Sequence, residues 1–391
     1  MLTKEKLDQA AKLMQETDFD LWLTFDRETA EGGDPVLPLI LEGGLTWQSA
    51  LIVTRTGKKI AIVGNYDAPA IEKTGEWDEV VPYVQGIKDA LLAVLDKHTR
   101  PEPKIAVNFS TNDVKADGLS HGMFLLLSEY LRGTSFEGAL VSAEPLVSAL
   151  RARKTAEEVK RIREAIKAGD EIFELIGQFA QVGKSETEVF DYVQSLIDQK
   201  GLGYGWDRSG NPIVNSGPDS MIGHGKPSSE IKIAEGHVFH IDLGVIKNGY
   251  SSDIQRCWYV GAAVPEDVRN ACEVVNQCIT NAAAVLKPGV RGFEVDAIAR
   301  KTLTDAGYEE YMHALGHQVG RVAHDGGSIL GPRWERYGET PNTPVHEDEV
   351  YTLELGVFLP SRGYLGIEEI VVVTKGGCEF LSERQMEIPL L

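Results

Sequence analysis

Two aspartates flank a short turn in the middle of the chain, at a spacing that brings both carboxylates to one place. Asn248-Gly249 divides the apolar-rich stretch 237–260, and Asn-Gly is the strongest short signal for a two-residue hairpin turn because both turn residues need a positive φ. In such a hairpin Asp242 faces Gln255, and Asp253 is its diagonal neighbour, about 7–8 Å away at Cα. Two carboxylates on one face repel each other, so the spacing predicts a divalent cation between them.

The same pattern returns later in the chain. Residues 238–245 (VFHIDLGV) match residues 350–357 (VYTLELGV), so Glu354 stands 112 residues after Asp242. A second strand-like run, Gly366–Thr374, follows and contributes Glu368. We interpret the C-terminal part of the chain as a duplicated hairpin in which each copy offers two carboxylates.

Three of the chain's nine histidines, His313, His317 and His324, fall within twelve residues between the two copies. Two aspartates, two glutamates and one histidine would form a five-ligand shell for two metal ions about 3.5–4 Å apart, an arrangement that activates water. The apolar surroundings of these acidic residues support this interpretation, because a buried unpaired carboxylate costs several kcal/mol. The predicted metal ligands are Asp242, Asp253, His317, Glu354 and Glu368.

The chain resembles the pita-bread metallopeptidases, in particular aminopeptidase P and prolidase, in an ordered set of motifs: Asp242-x10-Asp253, Gly316-His317-x6-His324-Asp325, Leu353-Glu354-x-Gly356 and Ile367-Glu368. The similarity covers the chain well from Leu146 onward and only loosely before it. It implies an α+β fold with a C-terminal pita-bread (creatinase/aminopeptidase) domain at 147–391, preceded by a smaller α/β creatinase-N-like domain at 1–146. It also implies a homodimer.

The resemblance assigns roles to single residues. Asp242, Asp253 and Glu368 would hold one ion, and His317 and Glu354 the other, with Asp253 and Glu368 bridging. This carboxylate-rich set suits Mn²⁺, with Zn²⁺, Co²⁺ or Fe²⁺ as alternatives. Glu354 would move a proton, and three histidines would contact the scissile carbonyl and its neighbours: His224, His313 and His324. His240 is interpreted as structural. The implied reaction is hydrolysis of an amide bond next to proline.

Two positions depart from the family's proline-specific peptidases. Those enzymes usually carry Arg where this chain has Gly366, and Pro where it has Leu355. An arginine there could grip a carboxylate or carbonyl group with two hydrogen bonds. The departures keep an alternative open, in which the same metal site acts on a small non-peptide substrate, as in ectoine hydrolases and dimethylsulfoniopropionate lyases. A binding module without catalysis is disfavoured because all five ligands are present.

Composition restricts the remaining possibilities. A length of 391 residues favours two domains. The net charge of −20 disfavours nucleic acid and anionic membranes as partners. No apolar run reaches the roughly 18 residues of a membrane span, and the N-terminal stretch lacks the pattern of a signal peptide. The four scattered cysteines indicate reduced thiols in a cytoplasmic protein.

Local signals predict the elements that position the site. The first 145 residues alternate helix and strand signals, which indicates an α/β domain with a mixed sheet. The Gly- and Pro-rich segment Glu31–Gly44 is expected to be a long loop. Thr155 is a predicted N-cap that opens a long charged helix. Two further helices are expected between the hairpin copies, at Glu266–Leu286 and Gly292–Ala306.

Overall fold

The computed structural model describes residues 2–223 and 225–391. Two compact units divide the chain, Met1–Arg151 and Ala152–Leu391. The sequence-based boundary at 146/147 falls within the helix Glu144–Ala152, whose apolar side chains belong to the core of the first unit. No helix among the described residues is both long and apolar enough to cross a membrane.

The first unit contains the mixed sheet that the sequence predicts. The strand order is β4-β3-β2-β1-β5-β6, in which β1 pairs antiparallel with β2 and parallel with β5. Separate apolar cores cover the two faces of this sheet. The strands are β1 (Leu21–Asp26), β2 (Ser49–Thr54), β3 (Lys59–Gly64), β4 (Glu79–Tyr83), β5 (Ile105–Val107) and β6 (Leu140–Ser142). The helices are α1 (Leu2–Leu13), α2 (Leu37–Ile40), α3 (Ala68–Thr74), α4 (Lys88–His98), α5 (His121–Leu131) and α6 (Glu144–Ala152).

The segment expected to be a long irregular loop is more ordered than the sequence suggested. Helix α2 lies within Glu31–Gly44, with Pro38 in its first turn, where a missing backbone N–H costs nothing. The Asp34 side chain accepts a hydrogen bond from the backbone N–H of Val36 over 2.9 Å. The expectation of an unstructured loop was therefore wrong for this helical turn, which is too short to show a periodic pattern.

The second unit carries the duplicated hairpins and four long helices. Helix α7 begins with a capping box in which Thr155 and Glu158 each bond the other's backbone N–H, as its predicted N-cap requires. The helices are α7 (Ala156–Phe179), α8 (Glu186–Gln199), α9 (Glu266–Val285) and α10 (Gly292–Asp305). The strands are β7 (Gly203–Tyr204), β8 (Ile213–Ser216), β9 (Val238–Leu243), β10 (Val245–Lys247), β11 (Tyr250–Ser251), β12 (Ile254–Tyr259), β13 (Val350–Leu359), β14 (Gly363–Thr374) and β15 (Gly377–Phe380).

The register of the first hairpin follows from its turn. Asn248 and Gly249 have φ values of 53° and 77°, the positive values that a type I′ turn needs. Lys247 therefore pairs with Tyr250, and the pairing continues to place Asp242 opposite Gln255. The predicted register is confirmed, although a break in each arm divides the hairpin into four short strands.

The second hairpin is longer and unbroken. Strands β13 and β14 pair antiparallel over ten residue pairs, in which Glu354 stands directly opposite Glu368. The outward face of this hairpin packs on α9 and α10, in a core that includes Leu353, Leu355 and Ile367. The two hairpins are joined by Arg256 in β12, which donates to the backbone oxygen of Glu368 over 2.9 Å.

Candidate metal centre

The structure brings the five predicted ligands together in overlapping clusters. Each cluster offers three ligand atoms that lie within 4.8 Å of one another. The clusters are Asp242, Asp253 and Glu368; His317, Glu354 and Glu368; and Asp253, His317 and His324. Since neighbouring clusters share residues, the side chains form one continuous group of possible ligands.

The two hairpins supply the four carboxylates in different ways. Asp242 lies in β9, and Asp253 lies in the break between β11 and β12. Glu354 and Glu368 form a directly opposed pair in the second hairpin. Like charges opposite each other destabilise a sheet, so this pairing needs a compensating positive charge.

The loop before β13 presents His317 to the carboxylates. Its Nε2 lies 3.5 Å from Oε1 of Glu354 and 3.6 Å from Oδ2 of Asp253, while Nδ1 faces the backbone oxygen of Gln318 at 3.4 Å. With the proton on Nδ1, the lone pair of Nε2 points to the carboxylates. Gly316 permits this approach, because a Cβ there would lie 2.0 Å from the backbone oxygen of Thr352.

Burial strongly disfavours charge on the carboxylates. It raises the pKa of Asp242 to about 7 and, together with the charge of Asp242, raises the pKa of Glu354 to about 8. Burial and the neighbouring carboxylates also raise the pKa of Asp253 and Glu368 well above their usual range. Burial and the nearby His324 lower the pKa of His317 to about 3, so His317 is a neutral imidazole.

Divalent metal ions fit this set of side chains. Oδ1 of Asp242 and both side-chain oxygens of Glu368 are buried and have no hydrogen-bond partner within the described chain. Buried polar atoms almost always have a partner, and carboxylate oxygens with one neutral imidazole are typical ligands of Mn²⁺-like ions. The unpartnered oxygens and the neutral histidine face each other, as ligands of a shared ion would.

A chain of amide and imidazole groups lies behind Glu354 and was not predicted. The Gln255 amide donates to Oε2 of Glu354 over 2.9 Å, and its Oε1 lies 3.0 Å from Nε2 of His240. Nδ1 of His240 lies 3.0 Å from Oδ1 of Asn215 in the neighbouring strand, and burial lowers the pKa of His240 to about 4. The predicted hairpin register already placed Gln255 opposite Asp242, which is the one feature of the sequence that could have indicated its place beside the carboxylates.

The three other predicted histidines occupy different positions. His324 lies edge to face against His317, with ring centroids 4.1 Å apart, and its ligand atom falls in the cluster with Asp253. His313 is exposed and belongs to none of the clusters of described residues, and its backbone oxygen accepts from Arg300. His224 lies outside the described residues.

The profile of metallopeptidase family M24 matches residues 160–375 of the chain. An Xaa-Pro dipeptidase of Pyrococcus furiosus is 32% identical over 246 residues, which cover 63% of this chain and 67% of that protein. The match includes the segments that carry both hairpins, since residues 160–375 contain all five predicted ligands.

Solved structures share the fold along the whole chain. The Xaa-Pro dipeptidase of Bacillus anthracis superposes with a TM-score of 0.76 at 24% identity, covering 100% of both chains. The X-Pro aminopeptidase of Thermotoga maritima gives a TM-score of 0.71 at 24% identity, covering 99% of both. These similarities confirm the predicted pita-bread fold. The chain therefore belongs to metallopeptidase family M24, a family of hydrolases that depend on divalent metal ions.

Proposed function

We propose that this protein is a dinuclear metallopeptidase that cleaves an amide bond next to proline. The observation that carries the proposal is the group of four buried carboxylates beside one neutral imidazole. Burial and mutual repulsion raise the pKa of these carboxylates, and the hydrogen bond from Gln255 opposes the rise at Glu354. The groups of the described chain that act most strongly on these carboxylates include no Lys or Arg, so we assign the neutralisation of their charge to metal ions.

The five ligands divide between two ions in this proposal. Asp242 would hold one ion and His317 and Glu354 the other, while Asp253 and Glu368 would contact both. Mn²⁺ is the favoured metal because carboxylate oxygens dominate the set. The resemblance that motivates this assignment also suggests a homodimer, and a light-scattering mass of twice 42.9 kDa would support it. The scattered cysteines favour a location in the cytoplasm.

The side chains around the ions supply binding and proton transfer. When bound, divalent ions would polarise the scissile carbonyl group and make water a stronger nucleophile. Glu354 has one oxygen facing His317 and the other held by Gln255, so it can accept a proton and pass it to the leaving amine. His324 is exposed beside His317 and would donate a hydrogen bond to the developing negative charge on the substrate oxygen.

The substrate class follows from the names of the relatives. The Pyrococcus furiosus relative and the Bacillus anthracis structure are both described as Xaa-Pro dipeptidases, and the Thermotoga maritima structure as an X-Pro aminopeptidase. We carry over to this chain what these names share, a bond between any residue and proline. The predicted peptide substrate agrees with them.

The test compares metal-loaded and metal-stripped protein on Xaa-Pro peptides of two to five residues. We expect cleavage with Mn²⁺ and none after chelation. The Asp242→Asn variant should lose both activity and bound metal, whereas Glu379→Gln, a change at an exposed carboxylate in β15, should keep them. A fully metal-loaded protein that cleaves none of these peptides would overturn the proposal and leave the non-peptide alternative.

A further inference from the structure

Two tyrosine hydroxyls lie beside the metal centre and have no part in the proposal above. Tyr364 lies in β14, four residues before Glu368 and on the same face of the strand. Tyr311, which precedes the histidine segment, is close enough to this hydroxyl for the two groups to interact, and burial raises the pKa of both. A tyrosine hydroxyl carries a proton as well as lone pairs, so Tyr364 can donate a hydrogen bond to a substrate oxygen.

A slot made by two facing glycines holds the ring of Tyr364. Gly356 and Gly366 pair directly across β13 and β14, one row from the Glu354–Glu368 pair. A Cβ at Gly356 would lie 2.5 Å from the Tyr364 hydroxyl oxygen, and one at Gly366 would lie 2.5 Å from Cε1 of the same ring. The edge-to-face contact with His240, 5.0 Å between ring centroids, fixes the ring from the side. Gly366 therefore has no room for a larger side chain while Tyr364 is present.

The charged groups that act most strongly on the two hydroxyls are carboxylates. Among the described residues, these groups are Glu354, Glu368 and Asp242, and none is Lys or Arg. Arg256 of β12 forms an ion pair with Glu369 at 3.1 Å, and Glu369 lies on the opposite face of β14 from Glu368. A substrate group placed over Tyr364 thus meets a neutral hydrogen-bond donor.

A substrate carboxylate would be poorly bound at this place. Successive rows on one face of a strand are about 7 Å apart, and the Tyr364 ring lies over Gly366, one row from Glu368. A substrate that runs along β14 from a scissile bond at the carboxylates would therefore pass over Tyr364. The four carboxylates would balance the charge of two divalent ions, which leaves no excess positive charge there. A desolvated carboxylate without a basic partner is costly, whereas a neutral amide oxygen can accept from the Tyr364 hydroxyl.

We propose that Tyr364 is a specificity-determining residue that selects substrates with a neutral group, and not a free carboxylate, next to the scissile bond. The protein would then prefer longer or C-terminally amidated Xaa-Pro peptides over free Xaa-Pro dipeptides. This inference rests on the proposed function, because it concerns the substrate of the same site.

The first experiment compares two substrates that differ only in that charge, Ala-Pro and Ala-Pro-NH₂, on the Mn²⁺-loaded protein. We expect kcat/KM to be about 10-fold or more higher for the amide. A second readout does not need turnover: titration calorimetry should detect tighter binding of prolinamide than of proline. Equal or tighter binding of proline, or a preference for Ala-Pro, would overturn the inference while leaving the peptidase assignment intact. If neither peptide is cleaved, the proposed function fails, and calorimetry still decides the charge preference.

Variants of Tyr364 test whether this residue sets the preference for the amide over the free dipeptide. Tyr364→Phe keeps the ring in its slot and removes the hydroxyl, so kcat/KM for the amide should fall towards that for the dipeptide with unchanged metal content. Tyr66→Phe, a change at an exposed tyrosine in the first unit, is the matched control and should alter neither. The double variant Tyr364→Ala/Gly366→Arg clears the slot and adds a guanidinium, and it should reverse the preference. A Tyr364→Phe protein with an unchanged substrate ratio would show that another residue sets the selection.

Discussion

The side-chain amide of Gln255 donates a hydrogen bond to Oε2 of Glu354 over 2.9 Å, from the strand position opposite Asp242. This bond leaves Oε1 of Glu354 facing His317 at 3.5 Å. Gln255 thus positions a residue to which we assign both metal binding and proton transfer. Its own carbonyl group is held by His240, so the amide cannot turn freely.

Replacing Gln255 by Ala should therefore reduce kcat/KM by about 10–100-fold, the usual effect of removing a group that orients a metal ligand. The measurement is steady-state kinetics at saturating Mn²⁺, together with the metal dissociation constant. Gln277→Ala, at an exposed glutamine of α9, is the control. Wild-type values for Gln255→Ala would mean that Glu354 is oriented by other contacts.

Removing one carboxylate should stabilise the protein when metal is absent. Asp242, Asp253, Glu354 and Glu368 repel one another when ionised in this buried site, and the repulsion is relieved by a bound cation or by protonation. We expect Asp242→Asn to raise Tm in the presence of chelator and to abolish the further rise in Tm that Mn²⁺ gives the wild type. Differential scanning calorimetry with and without metal measures both effects. A lower Tm for the metal-free variant would contradict this account of the site.

Asp34 should make the stability of the first unit depend on pH. Burial raises the pKa of its carboxyl group to about 6, so between pH 4 and about 6 the folded state binds a proton that the unfolded state releases. The free energy of unfolding should therefore fall as pH rises through this window, by about 2–3 kcal/mol. Asp34→Asn should flatten the dependence in urea titrations. Asp96→Asn, at an exposed position of α4, should retain it.

The buried ion pair between Lys154 and Asp325 should respond differently to single and double substitution. Nζ of Lys154 lies 3.2 Å from Oδ2 of Asp325, and both side chains are almost fully buried. Lys154→Met leaves a buried charge without this partner and should cost about 3–5 kcal/mol. The double variant Lys154→Met/Asp325→Leu should recover much of that loss. Denaturant unfolding measures both, and Lys301→Met in the exposed pair with Asp305 should change stability little.

Local signals were sufficient to predict the hairpins and the clustering of the four acidic side chains. The turn at Asn248-Gly249 determines which residues face each other, so the register could be derived before any tertiary contact was known. The internal repeat then extended the same reasoning to Glu354. The bond from Gln255 to Glu354 could not be predicted in this way, because it joins the two hairpins across residues 99 apart in sequence.

The position of the Tyr364 ring could not be predicted from the sequence, for a related reason. The absence of a side chain at Gly366 is visible in the sequence, but the ring that fills the space comes from two residues earlier in the same strand. The burial of Glu369 against Arg256 likewise depends on how the hairpins pack. Helix α2 was missed because four residues are too few to show a helical period.

The division of the carboxylates between two hairpins has a consequence for how the protein is made. During synthesis Asp242 and Asp253 leave the ribosome more than 100 residues before Glu354 and Glu368. Until then the first hairpin offers two of the five proposed ligands, and strands β13 and β14 are still missing. With the proposed ligand set, we therefore expect metal to bind only after the C-terminal unit is complete, and a chain truncated before β14 to bind neither ion.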